Sequence, residues 1–283
     1  MNKNIIILLA VILLLGTGCR TKKNDIVIVP DVQKNHLERL NLKGNVQNVI
    51  TKQYVLLDSG INRLVATLIQ NYSIDGYLKQ AIVLNEHGDT ARIRTIFYDN
   101  SAHETHWIEC NLAGDTLEMC LYEYDINRFL AAEKYYSRDS LIYTLTYKCD
   151  GEGNVRSLTR NNGQFIVSNK MNYNELGLIS RIDEYDPNGK LYKFITIEYD
   201  NYGDEVNRRA FKSENNLIEY TYTKYDEWGK LLKVIYEDRL HGNKETSEYN
   251  AHDEQGNWLK EDKTIADKPI HYIKERTITY YKP

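Results

Sequence analysis

Tyr-Asp-x-x-Gly recurs down this chain at a nearly constant interval. The windows open at Tyr72, Tyr98, Tyr124, Cys149, Tyr173, Tyr199, Tyr225 and His252, with steps of 26, 26, 25, 24, 26, 26 and 27 residues. Ser73 and Asn174 depart from Asp at the second position, and Ala102 and Arg128 depart from Gly at the fifth. A fixed period in this range predicts one supersecondary unit stacked many times, so the chain is read as a repeat architecture before any residue is read as a site.

Within each window a second turn signal falls near the middle, as at Glu86-His87-Gly88-Asp89, Asp186-Pro187-Asn188-Gly189 and Leu240-His241-Gly242-Asn243. Each unit therefore reads strand, turn, strand, turn. Asp and Asn suit the turns because their side chains bond nearby N–H groups, and Gly supplies positive φ without steric cost. Tyr, Ile, Thr and Val fill the segments between, as strands prefer. Residues 41–70 read as one more hairpin, and Asp31–Leu40 as a short helix with Asp31 as its cap after Pro30.

The expected fold is all-β: an antiparallel meander of about 16–18 strands from 26-residue hairpin repeats. A flat sheet of that size would run to about 85 Å and leave both faces wet, so rolling into a flattened barrel or half-shell is expected. The second residue after the repeat glycine is apolar at Leu78, Val155, Ile179, Leu231 and Trp258, with Glu205 departing. That regularity predicts a one-sided core that includes Trp258. Charges on both faces of segments such as Lys230–Arg239 argue against a membrane-spanning barrel, which needs an outward apolar band.

The repeated Tyr-Asp-x-x-Gly, followed by Gly-x-Leu or Gly-Asn-Trp, resembles the YD repeat of RHS-type proteins, in its short bacterial lipoprotein form. The resemblance covers residues 72–283. Large members of that family enclose a toxin domain in a hollow β-shell; this chain is too short for that, and the unit from Asp253 to Tyr281 resembles a closing unit.

The first residues read as a targeting segment: Lys3, an apolar run from Ile5 to Leu15, then Gly16-Thr17-Gly18-Cys19. The run is about half of what a spanning helix needs. Its ending resembles a bacterial lipoprotein signal, which implies cleavage after residue 18 and acylation of Cys19. The division expected is residues 1–18 as signal, 19–30 as lipidated cysteine and polar tether, and 31–283 as one repeat domain. Arg20 after the cysteine is not the aspartate that favours inner-membrane retention, so an outer-membrane anchor facing the periplasm is expected.

A near-even charge balance, 36 basic against 40 acidic side chains, argues against nucleic acid as a partner. Cys110, Cys120 and Cys149 read as three buried thiols, because hairpin geometry points Cys110 and Cys120 to opposite faces. His103-Glu104-Thr105-His106 lacks the helical spacing of a zinc-protease pair, and the repeat aspartates each offer too few oxygens for calcium. No metal and no cofactor is expected. The fourth turn position carries Tyr202 and Trp228 in consecutive units, placing two rings on one rim about 10 Å apart as a ligand platform. The functional expectation is a non-catalytic, lipid-anchored envelope protein that binds or scaffolds an unknown protein or glycan partner. The alternatives are a carbohydrate-binding lipoprotein using Tyr202 and Trp228, an envelope hydrolase, and a carrier of a small amphipathic ligand.

Overall fold

The computed structural model describes residues 35–56, 60, 62–266, 268 and 270–282. The leader, Cys19 and the tether lie outside the described residues. A short helix, α1 (His36–Arg39), precedes eighteen strands. They are β1 (Val46–Leu56), β2 (Asn62–Tyr72), β3 (Leu78–Leu84), β4 (Thr90–Tyr98), β5 (Glu104–Cys110), β6 (Thr116–Tyr124), β7 (Leu130–Ser137), β8 (Ser140–Cys149) and β9 (Val155–Asn161). There follow β10 (Ile166–Tyr173), β11 (Ile179–Tyr185), β12 (Leu191–Tyr199), β13 (Glu205–Ser213), β14 (Asn216–Tyr225), β15 (Leu231–Asp238), β16 (Asn243–His252), β17 (Trp258–Ile265) and β18 (His271–Tyr280).

Each strand pairs antiparallel with its sequence neighbour, and β18 returns to β1 in a register running from Val46 opposite Tyr280 to Leu56 opposite His271. The sheet is a closed barrel, so the half-shell alternative is excluded. Closure pairs the backbone donors and acceptors that an open sheet would expose along two edges.

The expected helix from Asp31 is corrected. The cap is Asn35, whose Oδ1 accepts the Glu38 N–H at 3.0 Å while Glu38 Oε2 accepts the Asn35 N–H at 2.9 Å. This reciprocal pair sets the start of the helix without Asp31, which lies outside the described residues. Residues 35–45 lie across one end of the barrel. Asn35 Nδ2 donates to Asp75 O at 3.1 Å and Leu37 N to Gly76 O at 3.2 Å. Leu37 and Leu42 are buried in a cluster with Val46, Tyr72, Leu78 and Trp107.

The repeat signature has a direct chemical meaning. In seven of the eight turns the Asp or Asn Oδ1 accepts the N–H groups two and four residues on, at Asp125 those of Asn127 at 2.8 Å and Phe129 at 2.9 Å, and at Ser73 the hydroxyl accepts the Tyr77 N–H at 3.1 Å. The fifth residue of the window takes positive φ, which explains Gly there. Ala102 (φ 64) and Arg128 (φ 65) adopt the same conformation despite their side chains. The repeat tyrosine ties successive units together. Tyr98, Tyr124, Tyr173 and Tyr199 donate to the carbonyls of Leu78, Glu104, Val155 and Ile179 at 2.7, 2.8, 2.7 and 2.8 Å. Each acceptor lies two residues past the turn of the preceding unit. His252, one of the two departures from Tyr, keeps the contact through Nε2, 2.8 Å from Leu231 O.

Inside, apolar clusters alternate with ion pairs. One cluster gathers Leu130, Leu158, Met171, Ile182 and Ile195. Between such clusters, Arg94 donates Nε and Nη2 to Glu109 Oε2 at 3.2 and 3.0 Å while Arg92 reaches Oε1 at 3.0 Å. Lys193 lies between Glu184 at 3.9 Å and Glu219 at 3.7 Å. Lys274 and Ser247 hold Glu261 at 2.8 and 2.7 Å. Trp258 is half-buried, with the Arg276 guanidinium 3.3 Å from its ring centroid. Glu133, only 2% exposed, accepts the hydroxyls of Tyr135 and Tyr147. Burial drives its pKa up, against the pull of those two hydrogen bonds. Outside, directly opposed Lys233–Glu248 and Glu237–Lys244 pairs make the wall an ionic, solvated surface.

Three outcomes are expected. Ala102→Gly, which removes a Cβ from a left-handed residue, raises stability by about 1 kcal/mol in urea unfolding. Glu109→Ala, which strands the buried Arg94 without its main carboxylate, lowers it by about 3–5 kcal/mol. Glu133 has a folded pKa above its unfolded value. Its contribution is therefore complete below the unfolded value and is lost as pH rises through the folded one. Glu133→Gln flattens that decline in a pH series of urea midpoints; an unchanged slope would assign the pH dependence elsewhere.

Candidate functional site

The repeat turns line the barrel end that α1 lies across. Asp200 Oδ1 holds the Tyr202 and Asp204 N–H groups at 2.9 and 3.0 Å, and Asp226 Oδ1 holds those of Trp228 and Lys230 at 2.9 and 2.8 Å. With its N–H turned inward to the carboxylate, the fourth residue of each window sends its side chain outward. Tyr202 is 82% exposed and Trp228 70%. They occupy the same place in consecutive turns, β12–β13 and β14–β15, on one rim.

Leu176 has the same role one turn earlier, with its N–H on Asn174 Oδ1 at 3.0 Å and its side chain 70% exposed. Its place in the window is legible in the sequence, but its side chain is aliphatic where the next two windows carry rings. Three consecutive turns thus present Leu176, Tyr202 and Trp228 as an apolar ridge.

Beside Trp228 the rim holds a shallow groove of about 420 Å³, lined by Lys43, Trp228, Lys230, Glu254, Gln255 and Gly256. Its components come from distant parts of the chain. Lys43 arrives on the segment that follows α1, fixed where Asn257 Oδ1 accepts its N–H at 2.7 Å and Asn257 Nδ2 donates to its carbonyl at 2.9 Å. Lys43 Nζ donates to Gly229 O at 3.3 Å. Gly256 (φ +88) contributes an open floor, where a Cβ would meet Lys230 Cγ at 3.4 Å. Tyr202 shares the rim but not the groove; of the two expected platform rings, only Trp228 lines it. Cys19 lies outside the described residues.

The remaining candidates disperse. His106 stacks on Phe97 at 4.3 Å, His103 packs against Tyr124 at 5.0 Å, and Glu104 pairs with Arg39 at 3.2 Å. The three side chains of that motif therefore serve separate contacts. Among the described residues no group of three His, Cys, Asp or Glu is placed to hold a metal ion. The turn carboxylates are engaged by backbone: although partial desolvation acts upward on Asp150, bonds from Asn154, Glu152 and Arg156 bring it down to about 2. Cys110, Cys120 and Cys149 are free thiols, with Cys120 buried and the other two half-buried. Burial raises the pKa of Cys120 and Cys149, which keeps both thiols protonated and weakly nucleophilic.

No family model matches the chain, and no curated protein matches it. Among solved structures it is similar to TcdB2-TccC3-TEV at 11% identity and a TM-score of 0.37, covering 80% of this chain and 16% of that one. It is also similar to a porin-like protein from Bacteroides uniformis ATCC 8492 at 13% identity and a TM-score of 0.43, covering 84% and 98%. A porin-like protein from Bacteroides vulgatus ATCC 8482 gives 11% identity and a TM-score of 0.25, covering 83% and 99%. At these values the likeness carries no argument about function.

Proposed function

We propose that this is a lipid-anchored protein of a bacterial cell envelope, of the YD-repeat kind, that works by binding and not by catalysis. Its binding surface is the rim of repeat turns. The observation that carries this reading is the contrast between rim and interior. Glu109, Glu133, Glu184 and Glu261 are buried against their own arginine, lysine, serine or tyrosine partners. The rim, by contrast, turns Leu176, Tyr202 and Trp228 to solvent beside a groove. Carboxylates buried against their own partners are poorly placed to reach a substrate, which supports binding over hydrolysis.

Acylation of Cys19 belongs to the same proposal. The described chain begins at Asn35 on the repeat rim, and the sixteen residue steps back to Cys19 reach about 55 Å at most when extended. The rim would therefore stand within that reach of the outer membrane, on its periplasmic side, with its partner a protein or a glycan. Several acyl chains would hold it there firmly, since each buried methylene contributes about 0.8 kcal/mol.

The expected outcome of metabolic labelling with an alkyne fatty acid is incorporation into the native chain and none into Cys19→Ser, which fractionates as soluble protein. Label retained by Cys19→Ser, or absent from both, would remove the anchor. Cross-linking of the native chain in intact cells then identifies what the rim holds.

A further inference from the structure

We infer that the groove between the β14–β15 and β16–β17 turns is a binding site for a neutral saccharide, with Trp228 as its stacking platform. The assignment deepens the binding role proposed above and rests on it. About 420 Å³ falls within the range of small-ligand pockets, roughly 300–1,000 Å³. The wall is a single indole, and the other lining side chains are two ammonium groups, one carboxylate and one primary amide. An indole face is electron-rich and attracts the weakly positive C–H face of a pyranose ring. Around it, Lys43, Lys230 and Gln255 offer donors, while Glu254 and the Gln255 carbonyl offer acceptors. Hydroxyl groups, which both donate and accept, match this mixture.

The other ligand classes fit less well. An anion would meet Lys43 and Lys230, but also Glu254 within the groove and the carboxylates of Asp226 and Asp253 in the turns that flank it. A peptide most readily adds to a sheet edge or fills apolar sockets. The pairing of β18 with β1 leaves this barrel no free edge of that kind, and Trp228 is the groove's one large apolar wall. Past Trp228 the rim continues to Tyr202 and Leu176 at intervals of two strand spacings, about 10 Å each. A ligand of several sugars would run along that ridge, so Tyr202 lengthens the site without forming it.

The Trp228 ring is exposed, so replacing it spares the barrel. The full chain, purified in a detergent without a sugar headgroup, is titrated calorimetrically with four neutral hexasaccharides. These are cellohexaose, mannohexaose, maltohexaose and chitohexaose. Binding of at least one is expected, accompanied by a shift of indole emission. Trp228→Ala weakens it at least tenfold, Trp228→Phe restores part of the loss, and Gln255→Ala weakens it without altering the melting temperature. Tyr202→Ala weakens the hexasaccharide but not the corresponding trisaccharide.

No binding of any of the four, or equal binding by Trp228→Ala, overturns the assignment. If cells then yield a protein cross-linked to the rim, the binding role stands and the saccharide falls. Saccharide binding by Cys19→Ser, which is expected to be intact, separates this site from the question of the anchor.

Discussion

Closure of the backbone ladder between β1 and β18 is the condition on which everything else in this molecule depends. An antiparallel sheet of this many strands carries a row of unpaired donors and acceptors at each edge, and such rows recruit other chains. Here the first and last strands pair from one end of β1 to the other, with a bulge between Val46 and Asn48. The seam is reinforced at the rim, where Tyr281 N donates to Asn45 O at 2.8 Å and Tyr281 OH to Tyr72 O at 2.7 Å. Asn257 joins Lys43, Tyr280 and Asp253 in one network of hydrogen bonds. The groove is a product of the same closure. Lys43 precedes the first strand and Gly256 precedes the seventeenth, so they meet only because the sheet comes full circle.

A round barrel of eighteen strands is wide enough to leave an aqueous channel when its inner side chains are short. This one narrows its interior with long side chains, and many are charged. Ion pairs inside a protein recover their desolvation cost only with good geometry and further hydrogen bonds. The Arg92–Glu109–Arg94 group meets that condition, with Arg94 also lying 3.8 Å from the Trp107 ring centroid. Glu133 has two tyrosine hydroxyls in place of a cation, and they offset only part of its desolvation, which is why its pKa stays raised. Such arrangements specify register, because a slip of one residue would turn every inward charge outward. They also tie these carboxylates to partners within the barrel, whereas the proposed binding role rests on the exposed side chains of the rim.

The repeat made much of this legible. The interval of the windows implied the number of strands, and the Asp side chains do what their place in the turns suggested. The position of Tyr202 and Trp228 in consecutive windows put both on one rim, where they are. The bond that makes the repeat tyrosine useful was not legible, since its acceptor is a backbone carbonyl in the preceding unit and leaves no mark on residue type. The helix start at Asn35 was not legible for a similar reason: it rests on the reply of Glu38 and on the carbonyl of Asp75, forty residues away. Leu176 was legible in principle and was missed because apolar rim residues were sought only as rings.

Local chemistry, then, was enough to determine the strand count, the turn type and the outward aim of the fourth turn residue, because each rests on contacts within a few residues. Closure, the pairing of inward charges and the groove were decided only by the tertiary structure. They depend on how twist accumulates over eighteen strands and on which ends it brings together, and no window of sequence contains that sum.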